Sequence, residues 1–151
     1  MMTDAEVRQE LLDGIGEAVD ELGTALAALG TAYELLDERS ADRLEEELFG
    51  PVQKAYGRAK RTYADFATRH GLAAREFAQP SSSSGSRDVR RFLDRAVEAV
   101  DESEQILVEL QDSGRPVEYG DPELRAGLAG VRELVSNVRA SARMFTRTLG
   151  R

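Results

Sequence analysis

The stretch FGPVQKAYGRAKRTYADFATRHGLAAREF, residues 49–77, decides the fold of this chain. Five rings recur in it at intervals of seven residues: Phe49, Tyr56, Tyr63, His70 and Phe77. Seven residues are almost two turns of an α-helix, so side chains at this interval share one face. The positions three residues after the first four rings are all apolar, which completes the a/d pattern of a packed helix. We therefore expect a long helix here, with its aromatic face buried.

Before this stretch, an apolar spacing of three and four predicts a first helix from about Asp4 to Glu38. The aromatic stretch belongs to a second helix, which Ser40 would cap at its start and Gly71 would end. Proline removes a backbone donor and clashes with the preceding turn. The pair Gly50-Pro51 therefore predicts a kink or a short break near Phe49.

Two more helices follow the same spacing rule in the second half of the chain. The third runs from about Asp88 to Asp112, and residues 115–120 read as a loop after it. The fourth opens at Asp121, with Pro122 in its first turn, and has the most regular apolar spacing of the four. No segment alternates apolar and polar residues as a strand would.

The segment Pro80–Gly85 is rich in serine and predicts a linker. We expect an all-α fold, an antiparallel up-down-up-down four-helix bundle made of two α-hairpins joined by this Ser-rich linker. The whole chain, residues 1–151, would be one domain. Hairpin one would cover residues 4–71, the linker residues 72–87 and hairpin two residues 88–150.

Charge alternates along the chain in four blocks. Residues 1–50, 51–87, 88–121 and 122–151 carry net charges of −11, +5, −6 and +4. Each hairpin would thus pair an acidic helix with a basic one. In the up-down-up-down topology, the arginines around His70 would also meet those near the C-terminus, which predicts an arginine-rich pole opposite an acidic pole.

Composition excludes several classes of protein. The chain has no cysteine, which excludes disulfides and thiolate chemistry. No apolar run approaches the ~20 residues that a membrane span needs, and the start of the chain has no signal-peptide pattern. We therefore expect a cytoplasmic protein without membrane contact. The net charge of −8 disfavours nucleic acid as a partner, although basic and aromatic residues interleave over residues 54–63.

Catalytic and metal-binding patterns are missing from the sequence. His70 is the only histidine, which excludes a di-iron bundle that needs two Glu-x-x-His motifs. Carboxylates four residues apart on the first helix could hold a hard cation, but they are typical of a solvated acidic face. No phosphate loop and no serine–histidine arrangement is present. We expect no enzyme activity, no cofactor and no metal site.

Two hypotheses for function remain open. The leading one is a non-enzymatic interaction or adaptor protein that docks a protein partner, or a second copy, through its charged poles or faces. The alternative is a bundle that binds a small molecule or an anion in a pocket near Tyr56, Tyr63 and His70. An apolar stripe outside the main seams, Leu12, Phe92 and Leu134, would offer a dimer surface. The candidate binding residues are Tyr56, Arg58, Arg61, Tyr63, His70, Arg139, Arg143 and Arg147.

Overall fold

The computed structural model describes residues 1–78 and 85–149. Every regular element in this part is a helix, which confirms the all-α fold. The elements in chain order are α1 (Asp4–Leu35), α2 (Glu38–Leu44), a π-helical turn (Glu45–Phe49), α3 (Gly50–His70), α4 (Val89–Asp112), α5 (Arg115–Glu118) and α6 (Pro122–Leu149). Most of the predicted Ser-rich linker, residues 80–84, lies outside the described residues.

Side-chain caps set the beginnings of the helices. Thr3 and Glu6 form a reciprocal capping box at the start of α1. The cap of α2 is Asp37, whose carboxylate accepts the backbone N–H of Ser40 at 2.8 Å, so the prediction of Ser40 as the cap is wrong. Because α2 already begins at Glu38, Ser40 is its third residue, and the Ser40 hydroxyl also donates to the Asp37 carboxylate. At the end of α3, Gly71 has φ +62°, the left-handed conformation predicted for it.

The proline produces a wide turn and leaves the helical path unbroken. Pro51 has no N–H to donate, and its ring crowds the carbonyl four residues earlier. The turn just before it, Glu45–Phe49, widens to π-helical geometry, and the N–H of Gly50 donates to the carbonyl of Glu45. Helix α2 therefore leads into α3 through a π-helical turn, at the place where the sequence predicted a kink or break.

Contacts between helices fix their neighbours and directions. Helix α1 packs on α3 and α4, and α6 packs on the same two helices from the other side. Near its start, α1 meets the region after α4, where Arg8 Nε donates to the carbonyl of Tyr119 at 2.9 Å. Near its end, Leu29 of α1 and Leu93 of α4 line one crevice. Helices α1 and α4 therefore run in opposite directions.

The other three pairs of neighbouring long helices, α1–α3, α3–α6 and α4–α6, are also antiparallel. Gly16 and Gly30 of α1 lie by Tyr63 and Phe49 respectively, so α1 and α3 are antiparallel. Thr62 of α3 lies against Gly127 of α6. The ion pair from Arg69 to Asp121 joins the end of α3 to the start of α6, so these two helices are antiparallel. Because α4 runs in the same direction as α3, α6 is also antiparallel to α4, to which the ion pairs of Arg139 connect it. In chain order the four long helices run up, down, down and up.

This order corrects the predicted up-down-up-down topology. Helices α3 and α4 run in the same direction, so the chain between them has to travel from one end of the molecule to the other. The predicted linker, residues 72–87, is long enough for this at ~3.3 Å per residue. Acidic α1 also packs most extensively on acidic α4. The charge pattern had predicted that each acidic helix would pack on a basic one.

The first part of the connection, residues 72–78, crosses the α1–α3 surface as an extended strap. Gln9 exchanges two hydrogen bonds with the backbone of Ala73, at 2.9 and 3.0 Å. Further along, Arg75 binds Asp20, with Nη2 and Oδ2 2.6 Å apart. Phe77 packs edge-on against Tyr63, with ring centroids 4.8 Å apart. Phe77 therefore lies past the end of α3, as the sequence suggested, and still packs against the core.

The core is one continuous cluster of buried side chains drawn from all four long helices, α2 and the π-helical turn. Leu12 is fully buried and Phe92 is 2% exposed, whereas Leu134 is only partly buried. The expectation that these three residues form a surface stripe is therefore wrong. No helix in the described part of the chain is both long and apolar enough to cross a membrane.

Candidate functional site

The two candidate tyrosines are packing residues with small polar roles. Tyr63 is 3% exposed, and its hydroxyl oxygen accepts the backbone N–H of Arg75 at 3.0 Å. Tyr56 is 8% exposed, and burial, with a contribution from Asp20, raises its pKa. Phe77 of the strap packs on Tyr63, and both tyrosine rings belong to the core.

A small cavity does lie beside Tyr56. Its volume is about 240 Å³, and its lining includes Asp20, Thr24 and Phe77 together with Tyr56. Pockets for drug-sized ligands usually have volumes of about 300–1,000 Å³. Tyr63 and His70 do not line this cavity, so the structure does not gather the three residues of the pocket that the sequence suggested.

His70 belongs to an ionic cluster at the end of α3. Its Nε2 lies 2.8 Å from Oδ2 of Asp121, and Arg69 donates two hydrogen bonds of 2.8 Å to the same carboxylate. Asp121 also caps α6 by accepting the N–H of Leu124 at 2.7 Å. Burial raises the pKa of Asp121, but these hydrogen bonds outweigh burial and hold it well below its usual range. The cluster joins the end of α3 to the start of α6.

The candidate arginines of α3 face α6. Arg58 and Arg61 line a shallow depression of about 270 Å³. The guanidinium of Arg58 lies over Gly130, where an added Cβ would be 2.9 Å from Nη2. Acidic Asp65 and Glu123 share the lining with them, so the charge of this depression is mixed.

Arg139 forms ion pairs with two carboxylates of α4. Its Nε lies 2.6 Å from Oδ1 of Asp101, and its Nη1 pairs with Glu104. Glu104 also accepts the hydroxyl of Ser136 at 2.6 Å. Burial raises the pKa of Glu104, but these two partners outweigh burial and lower it. Arg139 thus links α4 to α6 and is not free to bind a partner.

Arg143 and Arg147 instead line an open groove between α6 and the first half of α4. Its volume is about 480 Å³, and Arg90 of α4 is its third cation. We call it the basic groove, and its lining residues are Arg90, Asp94, Val97, Glu98, Ala142, Arg143, Thr146 and Arg147. The described residues offer no ion pair to its three arginines, whereas Arg69, Arg75, Arg115 and Arg139 all pair across elements.

The surroundings of the basic groove strengthen its positive charge. Arg87, Arg91 and Arg95 are exposed along the start of α4 and form no ion pair with the described residues. Together with the three arginines of the groove, they outnumber the carboxylates of the same region, Asp88, Asp94 and Glu98. The N-terminal end of α4 adds the positive pole of its helix dipole, so the local field favours an anion.

The ends of the molecule do not form the predicted poles. Arg69 and His70 lie at the end that carries the start of α1. Arg143 and Arg147 lie at the opposite end, which we call the α2 end, since Phe145 contacts Arg43 of α2. This end carries acidic α2 as well as the basic groove, so the single arginine-rich pole is wrong. The cause is the direction of α4 and α6, which the sequence alone did not fix.

The sequence placed Arg90 at the same predicted pole as Arg143 and Arg147 but did not single it out as a binding residue, and it gave no indication of Asp94, Glu98 or Thr146. One signal was available, because Arg90 and Arg91 stand in the first turn of a helix, where the helix dipole disfavours cations. A cluster of cations at such a place indicates a role other than helix stability. Among the residues that the structure describes, no three histidine, aspartate or glutamate side chains come together as a metal site.

Comparison of the chain with models of protein families, with curated proteins and with solved structures finds no match.

Proposed function

We propose that this chain is a non-enzymatic interaction protein, an adaptor that docks an acidic segment of a partner protein in the basic groove. The four long helices would act as one rigid four-helix bundle that holds α4 and α6 at a fixed separation. The observation that carries the proposal is the set of unpaired arginines, Arg90, Arg143 and Arg147, around one open groove of about 480 Å³.

An unpaired arginine beside an open groove offers a guanidinium that can bind a carboxylate with two parallel hydrogen bonds. The apolar floor, Val97 and Ala142, gives a partner side chain some surface to bury. An open groove also suits an extended or helical protein segment better than an enclosed small molecule. Because most of the attraction is between exposed charges, we expect binding to weaken with salt.

The test measures binding of a fluorescently labelled polyglutamate peptide by anisotropy. The triple variant Arg90→Gln, Arg143→Gln, Arg147→Gln should bind at least about tenfold more weakly than the wild type, which corresponds to ~1.4 kcal/mol. A control triple variant, Lys54→Gln, Lys60→Gln, Arg61→Gln, removes the same charge from an exposed surface of α3 and should bind like the wild type.

Equal loss in the two triple variants would mean that net charge alone drives binding, and the groove would then lose its role. The small-molecule alternative has less support, because the cavity beside Tyr56 is small and does not include His70.

A further inference from the structure

A second charged surface lies at the α2 end, and it is acidic. It consists of the exposed carboxylates of α2 and the π-helical turn, Glu38, Asp42, Glu45 and Glu46, which we call the acidic ridge. No cation of the described residues forms an ion pair with any of the four. Their neighbour Glu47 differs, because it pairs with Arg43 at 3.4 Å.

The acidic ridge and the basic groove flank the same helix. The π-helical turn packs against α6, and the guanidinium carbon of Arg43 lies 5.3 Å from the centre of the Phe145 ring. The groove opens on the α4 side of that helix. The two surfaces are thus separated by about the diameter of one helix, ~10 Å.

The part of α6 between the two surfaces is nearly free of charge on its exposed side. Ala140 and Thr148 are exposed there, and Met144 is 61% exposed, one of few large apolar side chains with such exposure. Methionine is flexible and polarisable, which suits it to a contact surface. This end of the molecule therefore presents an acidic side, an apolar centre and a basic side.

We propose that the acidic segment accepted by the basic groove is the acidic ridge of a second copy, in a two-fold symmetric dimer formed through the α2 ends. This inference rests on the proposed function, since it names the partner of the same groove. A two-fold axis beside Met144 places each ridge on the other copy's groove, so every favourable contact forms twice. Arg39, on α2 beside the ridge, supplies a cation for Asp94 and Glu98 of the other groove.

Sedimentation of the wild-type chain gives the first readout. The dimer should be present at about 20 mM NaCl, where the Debye length is ~20 Å. It should dissociate at about 300 mM NaCl, where the Debye length is ~6 Å. We expect the dissociation constant to rise at least about tenfold between these conditions.

Charge reversal gives the decisive readout. The groove variant Arg90→Glu, Arg143→Glu, Arg147→Glu has two acidic surfaces, and the ridge variant Asp42→Lys, Glu45→Lys, Glu46→Lys has two basic ones. Each variant alone should be monomeric, and an equimolar mixture should form a heterodimer with wild-type affinity. Circular dichroism melts check that both variants keep the fold. Met144→Ala should weaken the wild-type dimer without changing the salt dependence of its dissociation constant.

A mixture that stays monomeric would overturn the dimer, as would a wild-type chain that is monomeric at low salt. If polyglutamate still binds in the groove in that case, only the identity of the partner is wrong. If polyglutamate also fails to bind, the proposed function falls with it.

Discussion

Buried Thr62 and half-buried Thr146 differ in whether the hydroxyl makes a hydrogen bond. Thr62 donates its hydroxyl to the carbonyl of Arg58 at 2.8 Å. The hydroxyl oxygen of Thr146 is buried without any partner. It borders an apolar crevice of only about 10 Å³, whose other lining side chains offer nothing that could hold a water in place. A buried polar group without a partner lowers stability.

Thr146→Val should therefore stabilise the fold by about 1 kcal/mol, because valine has nearly the same shape and no hydroxyl to desolvate. Urea denaturation followed by circular dichroism measures the change. Thr62→Val is the matched control and should cost about 1 kcal/mol, since it removes a hydrogen bond that is made. Destabilisation by both variants would mean that Thr146 finds a partner in solution.

Asp121 combines several tasks in one side chain, because it caps α6 and binds both Arg69 and His70. Asp121→Ala should cost about 2 kcal/mol, whereas Asp37→Ala, which removes an exposed helix cap without an ion pair, should cost less. The difference between the two variants in chemical denaturation reports the link between α3 and α6. Equal losses would show that the link contributes nothing.

The same pair of variants has a pH dependence with a known sign. The folded-state pKa of Asp121 is lowered, so its contribution is present above the unfolded pKa of about 3.9 and is lost as the pH falls further. The destabilisation by Asp121→Ala should accordingly shrink below about pH 4. Urea denaturation at pH 7 and pH 3 measures this change.

At the scale of the element, small residues decide which helices are neighbours. Helices α1 and α4 are both acidic, yet they share the most extensive contact in the molecule. Gly14 lets Leu110 of α4 come so close that an added Cβ would lie 2.8 Å away, and Ala96, Ala99 and Ser103 of α4 are buried. Close apolar packing outweighs the repulsion between exposed charges, each of which contributes less than about 1 kcal/mol.

The repulsion between α1 and α4 contributes to the pKa of Glu21. Burial, followed by the charges of Glu102 and Asp20, raises its pKa. A raised carboxyl pKa means that ionisation destabilises the folded state, so this penalty is present at neutral pH and disappears as the pH falls below the unfolded pKa of about 4.3.

Glu21→Gln should stabilise the fold at pH 7 and have little effect near pH 3. Thermal denaturation at the two pH values measures the difference. Glu17→Gln, at an exposed position on the same helix, is the control for loss of one negative charge and should have the smaller effect at pH 7. An equal gain from both variants would assign the effect to net charge.

At the scale of the whole molecule, the direction of α4 decides which charged groups meet. The strap of residues 72–78 follows the α1–α3 surface away from the end of α3, and Gly16 gives it room, since an added Cβ would lie 3.3 Å from both Arg75 and Tyr63. The chain thus reaches the α2 end before α4 begins. Arg90 then joins Arg143 and Arg147 there, far from His70.

Distances between spin labels test this topology, because the chain has no cysteine of its own. Labels at Asp4→Cys and Glu118→Cys should lie within about 20 Å, because Arg8 bonds to Tyr119 one turn further along α1. The control pair, Asp4→Cys and Glu38→Cys, spans the length of α1 and should give about 50 Å. A long distance for the first pair would restore the up-down-up-down order.

The helices and most of their ends follow from the amino-acid sequence. The sevenfold rings predicted α3, Gly71 ended it, and Asp121-Pro122 opened α6, because caps and periodicity act within a few residues. It also predicted a kink or a short break near Phe49, where the π-helical turn lies, and a helix end at Gly71, before Phe77.

The directions of the helices, the pairing of α1 with α4 and the composition of the basic groove depend on how the helices pack. Periodicity says which face of a helix is buried but not which helix covers it. Small residues that allow close approach and an extended strap selected one arrangement, and His70 and the C-terminal arginines consequently lie at opposite ends of the molecule.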